Sequence, residues 1–178
     1  MASIYDTISG WSNSVTYIKY NIVSGADLRY YYSLTNANST NNPTSISNLQ
    51  NSWDGYININ STLVPSFFWK PSYTSNIAFE PNIINIQFGN GYQQRIPNGI
   101  NFDLLKFEAT FENRMEMEAV SMLHFLDQRG GAQAFIYNVP TIYSKSNFNT
   151  KFIAPNWNVT YNSYNNYTIK VRIEEVAA

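Results

Sequence analysis

The sequence predicts a mainly β protein with one α-helix over about residues 114–129. Three observations carry this. Lys106-Phe107-Glu108-Ala109-Thr110-Phe111-Glu112 alternates strictly, with Phe107, Ala109 and Phe111 on one side and charged or polar residues on the other. Thr168-Ile169-Lys170-Val171-Arg172-Ile173-Glu174 repeats the pattern near the end of the chain. Between them, Ala119, Met122, Leu123 and Leu126 fall at i, i+3, i+4 and i+7, the single convincing helical stripe.

From the N-terminus, Tyr17–Val23 reads as a strand, Ser24-Gly25-Ala26-Asp27 as a turn and Leu28–Leu34 as the return strand. Residues 34–62 are dense in Asn, Ser and Thr, with Pro43 and few apolar positions, and read as loop. A new apolar block opens at Phe67-Phe68-Trp69. The chain therefore divides into a small β-rich aromatic module at 1–62, a linker at 63–66 and a main domain at 67–178. A module of ~60 residues has little core, so Trp11, Tyr17, Tyr31 and Trp53 are its candidate stabilising aromatics.

In the main domain, Ile83–Phe88 is β-branched and partly alternating, and it runs into Phe88-Gly89-Asn90-Gly91-Tyr92-Gln93-Gln94-Arg95. Asn90 and Gly91 tolerate the positive φ of a tight hairpin. Gly89, Gly91, Tyr92, Gln94 and Arg95 thus form a hairpin motif with an Arg-tipped exit. Asn113 is the expected helix N-cap, with Glu116 three residues on, and Gly130-Gly131 the stop. The apolar stripe is expected to pack on the sheet. Ala134–Tyr137 reads as a further strand broken by Pro140. The charged face of 168–174 alternates in sign and suits cross-strand pairing.

Composition narrows the function classes. Charged residues make up 13 % of the chain and the net charge is −1, without the basic excess of a nucleic-acid binder. Cysteine is absent, so disulfides and thiolate metal sites are excluded. No apolar run approaches the ~18 residues of a membrane span, and the N-terminus lacks the pattern of a signal peptide. The aromatic share of 16 %, with 14 tyrosines, suits a recognition surface; AT-rich coding enriches the same residues.

Catalytic machinery is not evident, and no enzyme activity, cofactor or metal is expected. His124, the sole histidine, sits mid-helix near Ser121 and Asp127, a poor setting for a triad that needs an exposed nucleophile beside an oxyanion hole. Glu116 and Glu118 are two apart on the helix and diverge, unlike a glycosidase pair. Gly89-Asn90-Gly91 lacks the third glycine and the helix of a phosphate cradle.

The octet, flanked by Phe68-Trp69-Lys70-Pro71 and Pro97-Asn98-Gly99-Ile100-Asn101 and followed by strand, helix, Gly130-Gly131 and Phe135-Ile136-Tyr137, resembles the minor tail protein M family of lambda-type long-tailed phages. The resemblance spans about residues 67–176. It implies a tail-tube-like β-sandwich or split barrel related to distal-tail proteins, assembled as a homo-hexameric ring at the virion tail tip. That ring would join the tail-tube protein to the hub, with the tape-measure protein as a further candidate neighbour. Tyr92, Gln94 and Arg95 then either scaffold the hairpin or contact another subunit or ring. Arg95 is suited to pair with a carboxylate across such a seam.

Over about residues 8–57, Trp11, Tyr17, Ile22-Val23, Tyr30-Tyr31, Asn36, Pro43 and Trp53 occur in an order similar to small chitin-binding-type carbohydrate-binding modules. This sequence lengthens the usual turn by Ala26-Asp27-Leu28. The resemblance implies contact with host-surface glycan. Tyr30 and Tyr32 share one strand face, and with Trp53 they would form a flat platform for a sugar ring. Two other readings stay open: these aromatics are the module's core, or they touch a neighbouring tail protein. The alternative to a tail component is a soluble glycan-binding protein whose C-terminal sandwich is a carrier.

Overall fold

A computed structural model describes residues 8–49, 51–55, 64–139 and 151–176. The expected break at Pro140, Leu63 of the linker and the end of the N-terminal module lie outside them.

The described chain is mainly β with one helix. Ile22–Ser24 (β1), Tyr30–Ser33 (β2) and Trp53–Gly55 (β3) form an antiparallel sheet in the order β1-β2-β3. The five-stranded sheet is built from Asn76–Ala78 (β4), Lys106–Arg114 (β7), Phe135–Ile136 (β8), Lys151–Ser163 (β9) and Asn166–Glu175 (β10), in the order β4-β7-β10-β9-β8. Ile83–Gln87 (β5) and Gln93–Pro97 (β6) form a two-stranded hairpin apart from it. Glu116–Arg129 is the helix α1.

The alternating segments behave as their pattern requires. Phe107, Ala109 and Phe111 of β7 and Ile169, Val171 and Ile173 of β10 are buried against Ala119, Met122, Phe125 and Leu126 of α1, with Phe67, Trp69, Phe135 and Phe152 closing the core. The opposite face of β7 and β10 is polar. Register places Arg172 opposite Glu108 and Glu174 opposite Lys106. The ion pairs there nevertheless run from Lys106 to Glu80 (2.6 Å) and from Arg172 to Glu174 (2.8 Å).

Several expectations are corrected. The first strand begins at Ile22 instead of Tyr17, because Tyr20 adopts φ 73°, which breaks the extended run. Tyr17 makes only an isolated bridge to Asn38. Within the segment read as loop, residues 53–55 form β3. The helix starts at Glu116, with Met115 at the N-cap position, and Asn113 does not cap it; Asn113 stays in β7 at φ 54°. The Glu116 N–H instead donates to Asn165 Oδ1 (2.7 Å), a cap delivered from the turn between β9 and β10. At the other end Gly130 takes φ 55° and its N–H donates to the Leu126 and Asp127 carbonyls, the expected glycine stop.

The N-terminal sheet sits on the main body. Tyr32 belongs to the main core, and Tyr20 and Ile22 pack against it. Tyr31 faces the other way, into a small cluster with Tyr17, Val23 and Trp53. Both faces of β2 are therefore interior.

Candidate assembly site

Among the described elements, the β5–β6 hairpin stands out as exposed along both strands. Its register pairs Ile84 with Ile96, Ile86 with Gln94, Asn85 with Arg95 and Gln87 with Gln93. Side chains of directly paired residues share a face, so the hairpin is two-faced. Ile84, Ile86 and Ile96 line one side together with Gln94, and Asn85, Gln87, Gln93 and Arg95 line the other, where Ile83 and Pro97 lie at its base. Asn90 at φ 67° and Gly91 at φ 80° make the tip, as their residue types anticipate, and the Phe88 N–H donates to the Tyr92 carbonyl (2.8 Å). The Phe88 and Tyr92 rings lie 5.8 Å apart at that end.

Every residue from 83 to 100 is exposed. Ile84 is 45 %, Phe88 46 % and Tyr92 67 % accessible. A lone two-stranded hairpin is marginally stable in water, and contiguous exposed apolar surface marks an interaction site. Gly89, Gly91, Tyr92, Gln94 and Arg95 are thus brought together on one arm. Arg95 meets no carboxylate among the described residues.

The second exposed surface is the outer face of the large sheet, a shallow polar trough lined by Glu108, Thr110, Asn156, Asn158, Lys170 and Arg172. Acidic, basic and amide groups alternate there with no exposed hydrophobe between them, as on a face that stays hydrated.

The glycan platform expected of Tyr30, Tyr32 and Trp53 is not assembled. Tyr32 is 2 % exposed and Trp53 fully buried. Trp53 stacks edge-on against Tyr17 (5.4 Å) and donates its indole N–H to the Asn41 carbonyl (2.7 Å). Tyr32 packs on Trp69 and Phe125, and its hydroxyl meets His124 Nδ1 at 2.5 Å. Tyr30 lies edge-on to the same imidazole at 4.6 Å. The platform fails because the face shared by Tyr30 and Tyr32 is the face that seats the sheet on α1. The sequence showed that one face of β2 had to be interior; it did not show that both were.

His124 is thus a buried bracket. Burial holds its pKa down at about 4, opposed by the nearby Asp127 carboxylate. Ser121 Oγ donates to the Glu118 carbonyl one turn back (2.9 Å). Among the described residues no group of three His, Cys, Asp or Glu side chains is placed to hold a metal ion, and no helix is long and apolar enough to cross a membrane.

Sequence reasoning missed two features that matter here. One is the Tyr32–His124 contact, which spans 92 positions and leaves no local signature. The other is β9, 13 residues long. Its signal was present: Trp157, Val159 and Tyr161 alternate with Asn156, Asn158, Thr160 and Asn162. The low strand propensity of Asn masked it.

A family model described as phage minor tail protein matches residues 65–177. Among curated proteins, the chain is similar to the tail tip protein M of Escherichia phage lambda, 33 % identical over 75 residues that cover 42 % of this chain and 68 % of that one.

Proposed function

This chain belongs to the phage minor tail protein family, whose members are structural components of the tail, and from that premise we propose that it builds a ring at the virion's tail tip. The observation that carries the reading is the β5–β6 arm, which holds Ile84, Ile86, Phe88, Tyr92 and Ile96 in solvent with no core of their own. Surface of this kind is stable in an assembly where neighbouring copies cover it. In such a ring the hydrated trough of the large sheet faces aqueous space. The role is architectural and needs no catalytic group. A copy number of six, and the tube, hub and tape-measure proteins as neighbours, rest on the family resemblance. The name of the lambda relative supports placing the ring at the tip.

Within this reading the N-terminal sheet is a brace. Tyr32, Tyr30 and the Asp54 carboxylate, which accepts the Ser66 N–H (3.1 Å), tie it to α1 and to the start of the family-matching region.

Electron microscopy of virions labelled with an antibody to this chain, together with class averages of the purified protein, tests the proposal. Label at the distal end of the tail and ring-shaped particles are expected. Unlabelled tails, or a protein that stays monomeric at every concentration, would overturn it.

A further inference from the structure

Among the described residues, the hairpin and the large sheet carry complementary open edges. β9 pairs with β10 along its length. On its other side, β8 covers only Lys151 and Phe152 among the described residues. Among the described residues, 156–163 therefore present an open strand edge, with every side chain but that of Trp157 exposed. Long open edges are templates for another strand.

The two faces of this edge differ. Register with β10 sets Asn158 beside Lys170 and Asn156 beside Arg172 on the polar trough. It sets Trp157 beside Val171, Val159 beside Ile169 and Tyr161 beside Tyr167 on the core side. That core side is unfinished: Trp157 is partly buried, but Val159 is 39 % and Tyr161 62 % exposed. Beyond the Ile83–Pro97 pair at its base, the hairpin is two-faced in the same sense, with Ile84, Ile86 and Ile96, joined by Gln94, opposed to Asn85, Gln87, Gln93 and Arg95. Laid along β9, it would continue both layers, covering Val159 and Tyr161 with isoleucine and extending the trough with amides. Because side chains alternate, a one-residue slip would invert both faces, so the match specifies register.

Topology decides which molecule supplies the hairpin. It is inserted between β4 and β7, at one margin of the sheet, whereas β9 lies towards the other margin. The hairpin's roots β4 and β7 lie three and two strand positions from β9, roughly 14 and 10 Å, so one chain's hairpin is rooted away from its own β9. Between copies, an arm on one margin and an acceptor edge on the other make a head-to-tail contact, which closes a ring when the rotation permits. We propose that the β5–β6 hairpin of one copy adds as two strands to the outer edge of β9, residues 156–163, of the next copy. This rests on the ring reading and names its seam.

The chain has no cysteine, so disulfide trapping can be read without background. Single variants Asn85→Cys and Arg95→Cys are each mixed with Asn158→Cys or Thr160→Cys and oxidised, and the size of the unmodified protein is measured by light scattering. Any cross-link in a mixture of a hairpin variant with a β9 variant joins two molecules, and it needs Cβ atoms within about 4.5 Å. Hetero-dimers as the major species in at least one hairpin–β9 mixture are expected, with only traces when Tyr73→Cys, fully exposed elsewhere, replaces the hairpin variant. A protein that oligomerises without such cross-links, or that links equally well through Tyr73→Cys, overturns the seam and leaves the ring standing. A protein that remains monomeric overturns both.

Discussion

The Tyr32 hydroxyl and His124 Nδ1 meet at 2.5 Å inside the protein, joining the N-terminal sheet to the middle of α1. The contact makes a buried histidine useful as a fastener. The imidazole is held neutral by burial, its pKa lowered to about 4, so at neutral pH it shares one hydrogen bond with the phenol, its tautomer setting which of the two donates.

Stability should therefore fall on acidification through this residue. The folded pKa of about 4 lies below the unfolded value of 6.5, so the unfolded state binds the extra proton between them. Stability linked to His124 is complete above pH ~6.5 and is lost as pH falls to about 4, a change on the order of 3 kcal/mol. Urea denaturation at pH 7 and pH 4.5 should show this loss in the wild type and a much smaller one in His124→Gln. An unchanged slope in the variant would show that other groups carry the dependence.

Tyr32→Ala and Trp53→Ala should each cost about 3–5 kcal/mol, as large-to-small changes in a core do. Tyr32→Phe should cost about 1–3 kcal/mol by removing the hydroxyl from His124. Equilibrium denaturation measures both. Losses under 0.5 kcal/mol for the alanine variants would mean that these rings are surface residues after all.

Asn165→Ala should destabilise the start of α1 by about 1 kcal/mol, the usual cost of losing a cap, since its Oδ1 accepts the Glu116 N–H. Hydrogen exchange should speed up in the first turn of the helix, with the β7 and β10 amides unaffected. Asn113→Ala tests the sequence-based alternative, and the helix start should not respond to it.

Ile84→Ser with Ile86→Ser should leave the unfolding free energy of the isolated chain within about 0.5 kcal/mol, as surface changes do. The pair should weaken self-association at least tenfold, on the scale of interface anchors. Sedimentation velocity across a concentration series reads both species. Equal association by the variant would remove the hairpin's apolar face from the interface.

Legibility followed the range of the interactions. β7, β10, the α1 stripe and the Asn90-Gly91 turn were readable because alternation, 3.6-residue periodicity and positive φ are local properties. The helix start was misplaced because its cap comes from Asn165, 49 residues beyond Glu116. Tyr17–Val23 was read too long because Tyr20 turns out of the strand to stack on Phe68, 6.1 Å away. The glycan platform failed for the same reason at larger scale: Tyr32 and Trp53 look like surface aromatics of a small module until the partners that bury them are known.

The sequence by itself determined a β-rich chain, the helix α1 and the hairpin motif. Through the octet and the strand–helix–strand order after it, the sequence also determined the chain's place among phage minor tail proteins. Tertiary structure alone decided which aromatics are interior, that the N-terminal sheet is braced on α1, and that, among the described residues, a two-faced hairpin and the edge of β9 are both left without a partner strand from the large sheet. Alternation says that a strand has two kinds of face. Only the packing of distant segments determines which of those faces is covered and which remains for another molecule.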